Sequence, residues 1–358
     1  MGRSVCMWVA VLLLGLRFAS AETCTTQSEM TPGDRDRLVA AGLALAAKVQ
    51  ANDVDGLRGL ALPEYDKEPG PMTHLVASLA PKLAGASLVV EQVYLLDASG
   101  LRGGIDGKPA DAEFFCTLNK SPAAADFLIP GLPAGRYGFV ILHAESPKAS
   151  WSLSFLLRQE RGWEMAGFYP KPLTAAGHDG LWYWTQARGL AKQGQRWNAF
   201  LFYREAQTLL QPTNFISSTN LEQLKKETDA ATPPALSEGI STSVPLVVRA
   251  ADGTEYRFTD FTTDDSRGGE ELDVAVHLEQ EPPAEPVSPE TADKEDKEKE
   301  KKKPAAAPPT PRTRNSNAMA ALVAAYPELR NRFHGVWVFS DVPGQNPLVT
   351  EESMAEIH

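Results

Sequence analysis

Apolar and polar positions alternate most clearly between Trp151 and Tyr169. Trp151, Leu153, Phe155 and Leu157 interleave with Ser152, Ser154, Leu156 and Arg158, a period of two that predicts a strand with one buried face. Gly162 closes a turn, and Trp163 to Tyr169 repeats the pattern. Pro170 and Pro172 have no N–H to give to a ladder, so the sheet is predicted to stop there. Helical spacing takes over almost at once. Tyr183, Ala187, Leu190, Gly194, Ala199, Tyr203 and Ala206 recur at intervals that predict two helices in close contact, and Leu221 to Glu227 adds a short third.

Upstream, the period is also helical. Thr31 is placed as an N-cap with Pro32 in the first turn and Asp34 as the capping acid, and Leu38, Ala41, Leu45 and Val49 form one stripe. A shorter helix follows Asn52-Asp53 and ends before Pro63, and Met72 to Leu83 predicts a third. From Ser87 the pattern changes to strands over 88–97, 112–118, 136–144, 150–158 and 162–169, separated by turn clusters such as Gly103-Gly104. Short connections imply antiparallel neighbours. Helices followed by an antiparallel sheet predict an α+β domain over 22–172, with the sheet curved over the helices.

Downstream, Pro245 to Ala250 and Thr254 to Phe261 flank Asp252-Gly253, a favoured hairpin turn, and Glu271 to Leu278 predicts a further strand. Residues 281–317 are rich in Pro, Ala, Lys and Glu and lack the apolar residues that offset chain entropy, which predicts a disordered charged linker. A helix over 318–326 and a strand over 332–339 follow. The expected organisation is therefore 22–172, a helical hairpin over 173–230, and a small β-domain from 231–280 and 318–358.

Two segments carry resemblances. The N-terminal helices, the stretch Ala46-Ala47-Lys48-Val49-Gln50-Ala51-Asn52-Asp53-Val54-Asp55-Gly56-Leu57-Arg58, and the closing strand Gly162-Trp163-Glu164-Met165-Ala166-Gly167-Phe168-Tyr169 resemble the cone-shaped NTF2-like superfamily over about residues 31–171. That resemblance implies helices packed on a curved sheet, and it includes isomerases, dehydratases and non-catalytic binding domains, so it implies no single activity. The spacing from Tyr183 to Ala206 resembles one tetratricopeptide repeat, with Pro212 one place late. A single repeat cannot bury its own face. Its aromatic residues Trp182, Trp184, Trp197, Phe200 and Phe202 point to the preceding sheet domain as the expected neighbour.

The first residues change the compartment. Arg3, an apolar run from Val5 to Leu16 and Ala19-Ser20-Ala21 form a signal-peptide pattern, predicting export to the periplasm or beyond and cleavage after residue 21. The apolar run is too short for a lasting membrane span, so none is expected after cleavage. Glu22 and Thr23 are poor neighbours for lipidation at Cys24. Cleavage removes Arg3 and Arg17 and no acid, taking the formal charge from -11 to -13. So acidic a chain is not expected to bind nucleic acid. Cys24 and Cys116 remain, either as one disulfide or as two buried thiols.

Candidate chemistry is sparse. His143 shares strand parity with Tyr137 and Phe139, on the face that would line a pocket in a cone-shaped fold, and could act there as a proton-transfer group or simply as a core histidine. Tyr94 and Asp97 fall on opposite faces of their strand. No spacing suits a metal, no Gly-x-Ser-x-Gly or glycine-rich phosphate loop occurs, and no cofactor is expected. His178-Asp179-Gly180 is expected to cap the next helix. Trp182, Trp184 and Trp197 could form a partner surface or be consumed as core. The pattern points to an exported, non-catalytic binding or assembly module. The alternative is a carrier of a small apolar ligand, or an enzyme, using the first domain's cavity.

Overall fold

The computed structural model describes residues 22–66, 69–104, 107–116, 124–146, 149–279, 310–340 and 346–358. The expected signal peptide and the linker up to residue 309 lie outside the described residues. The fold is α+β, and its strands pair mostly antiparallel. Two compact units share the chain: residues 1–80, 90–142 and 154–168 group in the first, and 81–89, 143–153 and 169–358 in the second.

The first unit's elements begin with β1 (Thr23–Thr26), α1 (Pro32–Gln50), α2 (Val54–Arg58) and α3 (Pro69–Leu83). Thr31 caps α1 as expected, its side chain accepting the Asp34 N–H, and Leu38, Gly42, Leu45, Ala46 and Val49 are the buried stripe. Asp53 caps α2 by accepting the Gly56 N–H and also holds Lys48 at 2.6 Å. Then come β2 (Ser87–Asp97), β3 (Ala112–Phe115), β4 (Asp126–Ile129), β5 (Arg136–Glu145), β6 (Trp151–Gln159) and β7 (Trp163–Pro172). The sheet runs in the order β1-β2-β5-β6-β7, with β1 antiparallel to β2, while β3 and β4 form a separate antiparallel hairpin. A disulfide joins Cys24 to Cys116 across 92 residues, tying β1 to the end of β3.

Two expectations need correcting here. β7 continues through Pro170 and Pro172. It is the outermost strand in the sheet order, the position in a sheet where proline is tolerated. Ser152 and Ser154, expected on an open face of β6, are buried, so this strand is covered on both sides.

In the second unit, β8 (Thr174–Ala175) and β9 (His178–Asp179) lead into α4 (Gly180–Lys192) and α5 (Arg196–Leu210), followed by β10 (Ile216–Ser217) and α6 (Thr219–Ala231). β11 (Leu246–Arg249), β12 (Glu255–Asp264), β13 (Asp273–Leu278), β14 (Gly335–Ser340) and β15 (Leu348–Ser353) form one sheet in that order. β13 and β14 are parallel because the chain between them makes a long crossover that includes α7 (Pro311–Ala325). That helix starts seven residues before its expected start at residue 318. The cause is local: Thr310 accepts the Thr313 N–H and Pro311 occupies the first turn.

The helical hairpin's neighbour also differs from expectation. Trp197 packs on Phe261 of β12 and on Tyr326, at ring separations of 5.1 and 4.0 Å, and Phe202 packs on Phe333. α4, α5, α7 and the inner face of the β11–β15 sheet share one apolar core. The hairpin face is filled by residues up to 131 positions downstream, a pairing no local pattern encodes.

Candidate site: a groove at the end of the second sheet

The expected pocket residues fall in separate places. Tyr137 is buried and its hydroxyl donates to Pro133 O at 2.6 Å. Phe139 is fully buried, edge-on to Phe127, which in turn meets Tyr94. The opposite face of β5 is closed by α1, since a Cβ on Gly138 would stand 2.2 Å from Leu38 Cδ2, and one on Gly42 would stand 2.6 Å from Val140 Cγ1. Tyr137 and Phe139 are thus packing residues. His143 is half-buried and begins a stretch that belongs to the second unit.

The expected partner surface also divides. Trp184 is core: its indole Nε1 donates to Glu227 Oε2 at 2.8 Å and the Arg188 guanidinium lies over its ring. Arg188 bonds the same carboxylate twice, at 2.7 Å each, which holds Glu227 down at about 2. Trp197 is core as well, as described above. Only Trp182 remains on a concave surface.

That surface is a groove of about 330 Å³. Its first wall is built by a tight turn in which Ala176 and Gly177 both adopt positive φ. The turn delivers His178 face to face onto Trp182, with ring centroids 3.6 Å apart and planes within 4°. Asp179 caps α4 as expected, accepting the Trp182 N–H at 2.8 Å. Behind these rings lie Tyr183, whose hydroxyl donates to Ala175 O, and Phe202. Burial pushes the Tyr183 phenol well above its ordinary range, so it stays a neutral donor.

The second wall comes from the segments entering β13 and β14. Because these strands are parallel and pair Val274 with Val336, both segments arrive at the same end of the sheet. Glu270, Glu271 and Leu272 approach on one, and Arg330 to His334 on the other. His334 Nδ1 lies 3.2 Å from Asp273 Oδ1. The Asp273 side chain is only 2% exposed, and it also receives the Trp337 indole N–H at 2.8 Å and Arg267 Nε at 3.2 Å. Three donors therefore compensate one buried carboxylate. With Nδ1 engaged, the imidazole is locked in orientation. Arg267 continues the network to Glu351. Arg330 is committed elsewhere, donating to Met354 O and Ile357 O and pinning the C-terminal residues.

Chemically, the groove offers stacked aromatic rings, two exposed carboxylates, an arginine and an oriented histidine. None of its lining residues is a serine, threonine, cysteine or lysine. Among the described residues, no group of three His, Cys, Asp or Glu side chains is arranged to hold a metal, and no helix is long and apolar enough to cross a membrane. A second hollow of about 510 Å³ next to Phe200, Leu236 and Ile240 has one charged lining residue, Asp229, which is paired with Lys225 at 3.4 Å. No family model matches the chain, and no curated protein or solved structure matches it either.

Sequence reasoning missed Asp273, His334 and Glu270. One signal was available. Asp273 stands between Leu272 and Val274 where a central strand begins, and a buried acid there requires partners that neutralise it.

Proposed function

We propose that this protein is an exported, non-catalytic binding module, and that its recognition site is the groove lined by Trp182 and His334. The observation that carries the reading is the combination of an aromatic wall with an oriented, hydrogen-bonded histidine in a cavity with no serine, threonine, cysteine or lysine in its lining. Export is supported by the Arg3-led apolar start and the Ala19-Ser20-Ala21 cleavage pattern, and by a cystine, which persists in oxidising compartments. An NTF2-like first part is supported by its three leading helices and by the seating of α1 on β5. A tetratricopeptide-like hairpin is supported by the close approach of α4 and α5, where Gly180 leaves no room for a Cβ beside Leu210. The groove is preferred to a cavity in the first unit because Leu38, Tyr137 and Phe139 occupy both faces of β5.

The test is native mass spectrometry of protein isolated from the exported fraction, comparing wild type with Trp182→Ala and with His334→Ala. A small molecule or partner retained by wild type and lost in both variants is the expected result. Identical retention in all three would remove the groove from consideration. N-terminal sequencing of the same material should begin at Glu22.

A further inference from the structure

Glu270 and Arg332 approach the same groove on neighbouring segments, yet neither has an ion-pair partner among the described residues. Opposite charges that line one cavity without neutralising each other present two separate poles to whatever enters. Glu271 reinforces the negative pole: it is 69% exposed and its Oε2 is 3.9 Å from His334 Nε2. His334 lies beside Glu271, and its ring is held from behind by the buried Asp273. Trp182 lines the same groove, one face of its indole covered by the His178 ring.

Resting on the groove as the recognition site, we propose that it binds a small zwitterion with an aromatic side chain, an amino acid or dipeptide whose carboxylate meets Arg332 and whose ammonium meets Glu270 and Glu271. Each part of the ligand follows from one feature. A planar guanidinium matches a carboxylate by two parallel N–H bonds. Two carboxylates suit a primary ammonium, which donates hydrogen bonds. A quaternary ammonium would instead call for a cage of aromatic faces. The aromatic side chain follows from Trp182, which is half-buried and lines the groove. Size follows from volume: about 330 Å³ is at the bottom of the ~300–1,000 Å³ range of small-ligand sites, which favours one or two residues over an extended peptide.

Isothermal titration of the mature chain with the dipeptide Ala-Phe and with its N-acetyl, C-amide and doubly capped forms tests this. The free dipeptide should bind about tenfold or more tightly than either singly capped form, since each cap removes one charge-assisted contact. Arg332→Ala should abolish the preference for a free carboxylate and leave the preference for a free ammonium. The paired change Glu270→Gln with Glu271→Gln should do the reverse. Trp182→Ala should weaken every form, with circular dichroism confirming that each variant is folded. Equal binding of the doubly capped form would overturn the zwitterion and leave the groove standing as a recognition site. No heat from any form through the millimolar range would overturn the zwitterion too, and retention in the mass spectrometry experiment would then judge the groove independently. Binding that Trp182→Ala does not alter would place the peptide elsewhere and end the proposal.

Discussion

Leu38 of α1 fills the space above Gly138 of β5, its Cδ2 lying 2.2 Å from where a Cβ would stand. The helix can lie that close only because this strand position has no side chain. Gly138→Ala should destabilise the protein by about 1–3 kcal/mol through overpacking, and Gly138→Val by more. Urea denaturation monitored by tryptophan fluorescence measures this. Recovery of stability in the double variant Gly138→Ala with Leu38→Ala would tie the cost to this contact.

Trp197 and Trp182 lie on one hairpin but should respond differently. Trp197 is 7% exposed between Phe261 and Tyr326, so Trp197→Ala should cost about 3–5 kcal/mol. Trp182 is only partly buried at the groove, and its loss should cost clearly less stability while impairing binding. Equal destabilisation in thermal melts would contradict the division into core and site residues.

Glu227 carries a pH signature. Two bonds from Arg188, with help from Gln223 and Trp184, hold its carboxyl at about 2, below its unfolded value near 4.5. The unfolded chain therefore takes up this proton first as pH falls. The contribution is complete above about 4.5 and disappears as pH drops toward about 2. Glu227→Gln should flatten that part of the stability profile and lower stability at neutral pH.

Lys171 gives the same slope for the opposite reason, since burial disfavours its charged form. Its ammonium is buried against the end of α5, 2.6 Å from Leu209 O, and burial lowers it from 10.5 to about 7. Between those values the unfolded chain holds a proton that the folded chain has released, so stability should rise with pH across the window from about 7 to 10.5. Lys171→Met should remove the rise. An unchanged slope in denaturant midpoints between pH 7 and 10 would show that another group is responsible.

The Cys24–Cys116 bridge closes a loop of 92 residues in the unfolded chain. Cys116→Ser with Cys24→Ser should cost about 2–5 kcal/mol, and reductant should act on wild type alone. Melting temperatures with and without dithiothreitol test this directly.

Helix starts were the most legible features. Thr31 and Asp179 cap the helices that follow them because the donor and acceptor are three residues apart, and local sequence contains both. The long strands β2, β5 and β6 were also legible from their apolar density. The short outer strands β1 and β15 were not: Thr23–Thr26 is polar throughout, and Leu348–Ser353 mixes apolar residues with acids, as a strand paired on one side can. The passage of β7 through Pro170 shows the same limit, because only the sheet order reveals that β7 lies at the end of its sheet, where proline is tolerated.

The groove lay furthest from view. Its walls come from 178–186, 270–272 and 330–334, which no window of sequence contains together. By itself the sequence determined the α+β class, the helix caps, the strand periods and the acidic balance, since each depends on neighbours a few residues apart. The tertiary structure decided which face met which: α1 on Gly138, Trp197 on Phe261, His334 on Asp273. A period marks a stripe to be buried but carries no record of its partner. A buried carboxylate such as Asp273 becomes tolerable when the distant segment around β14 brings it an indole and an imidazole and the preceding loop adds a guanidinium.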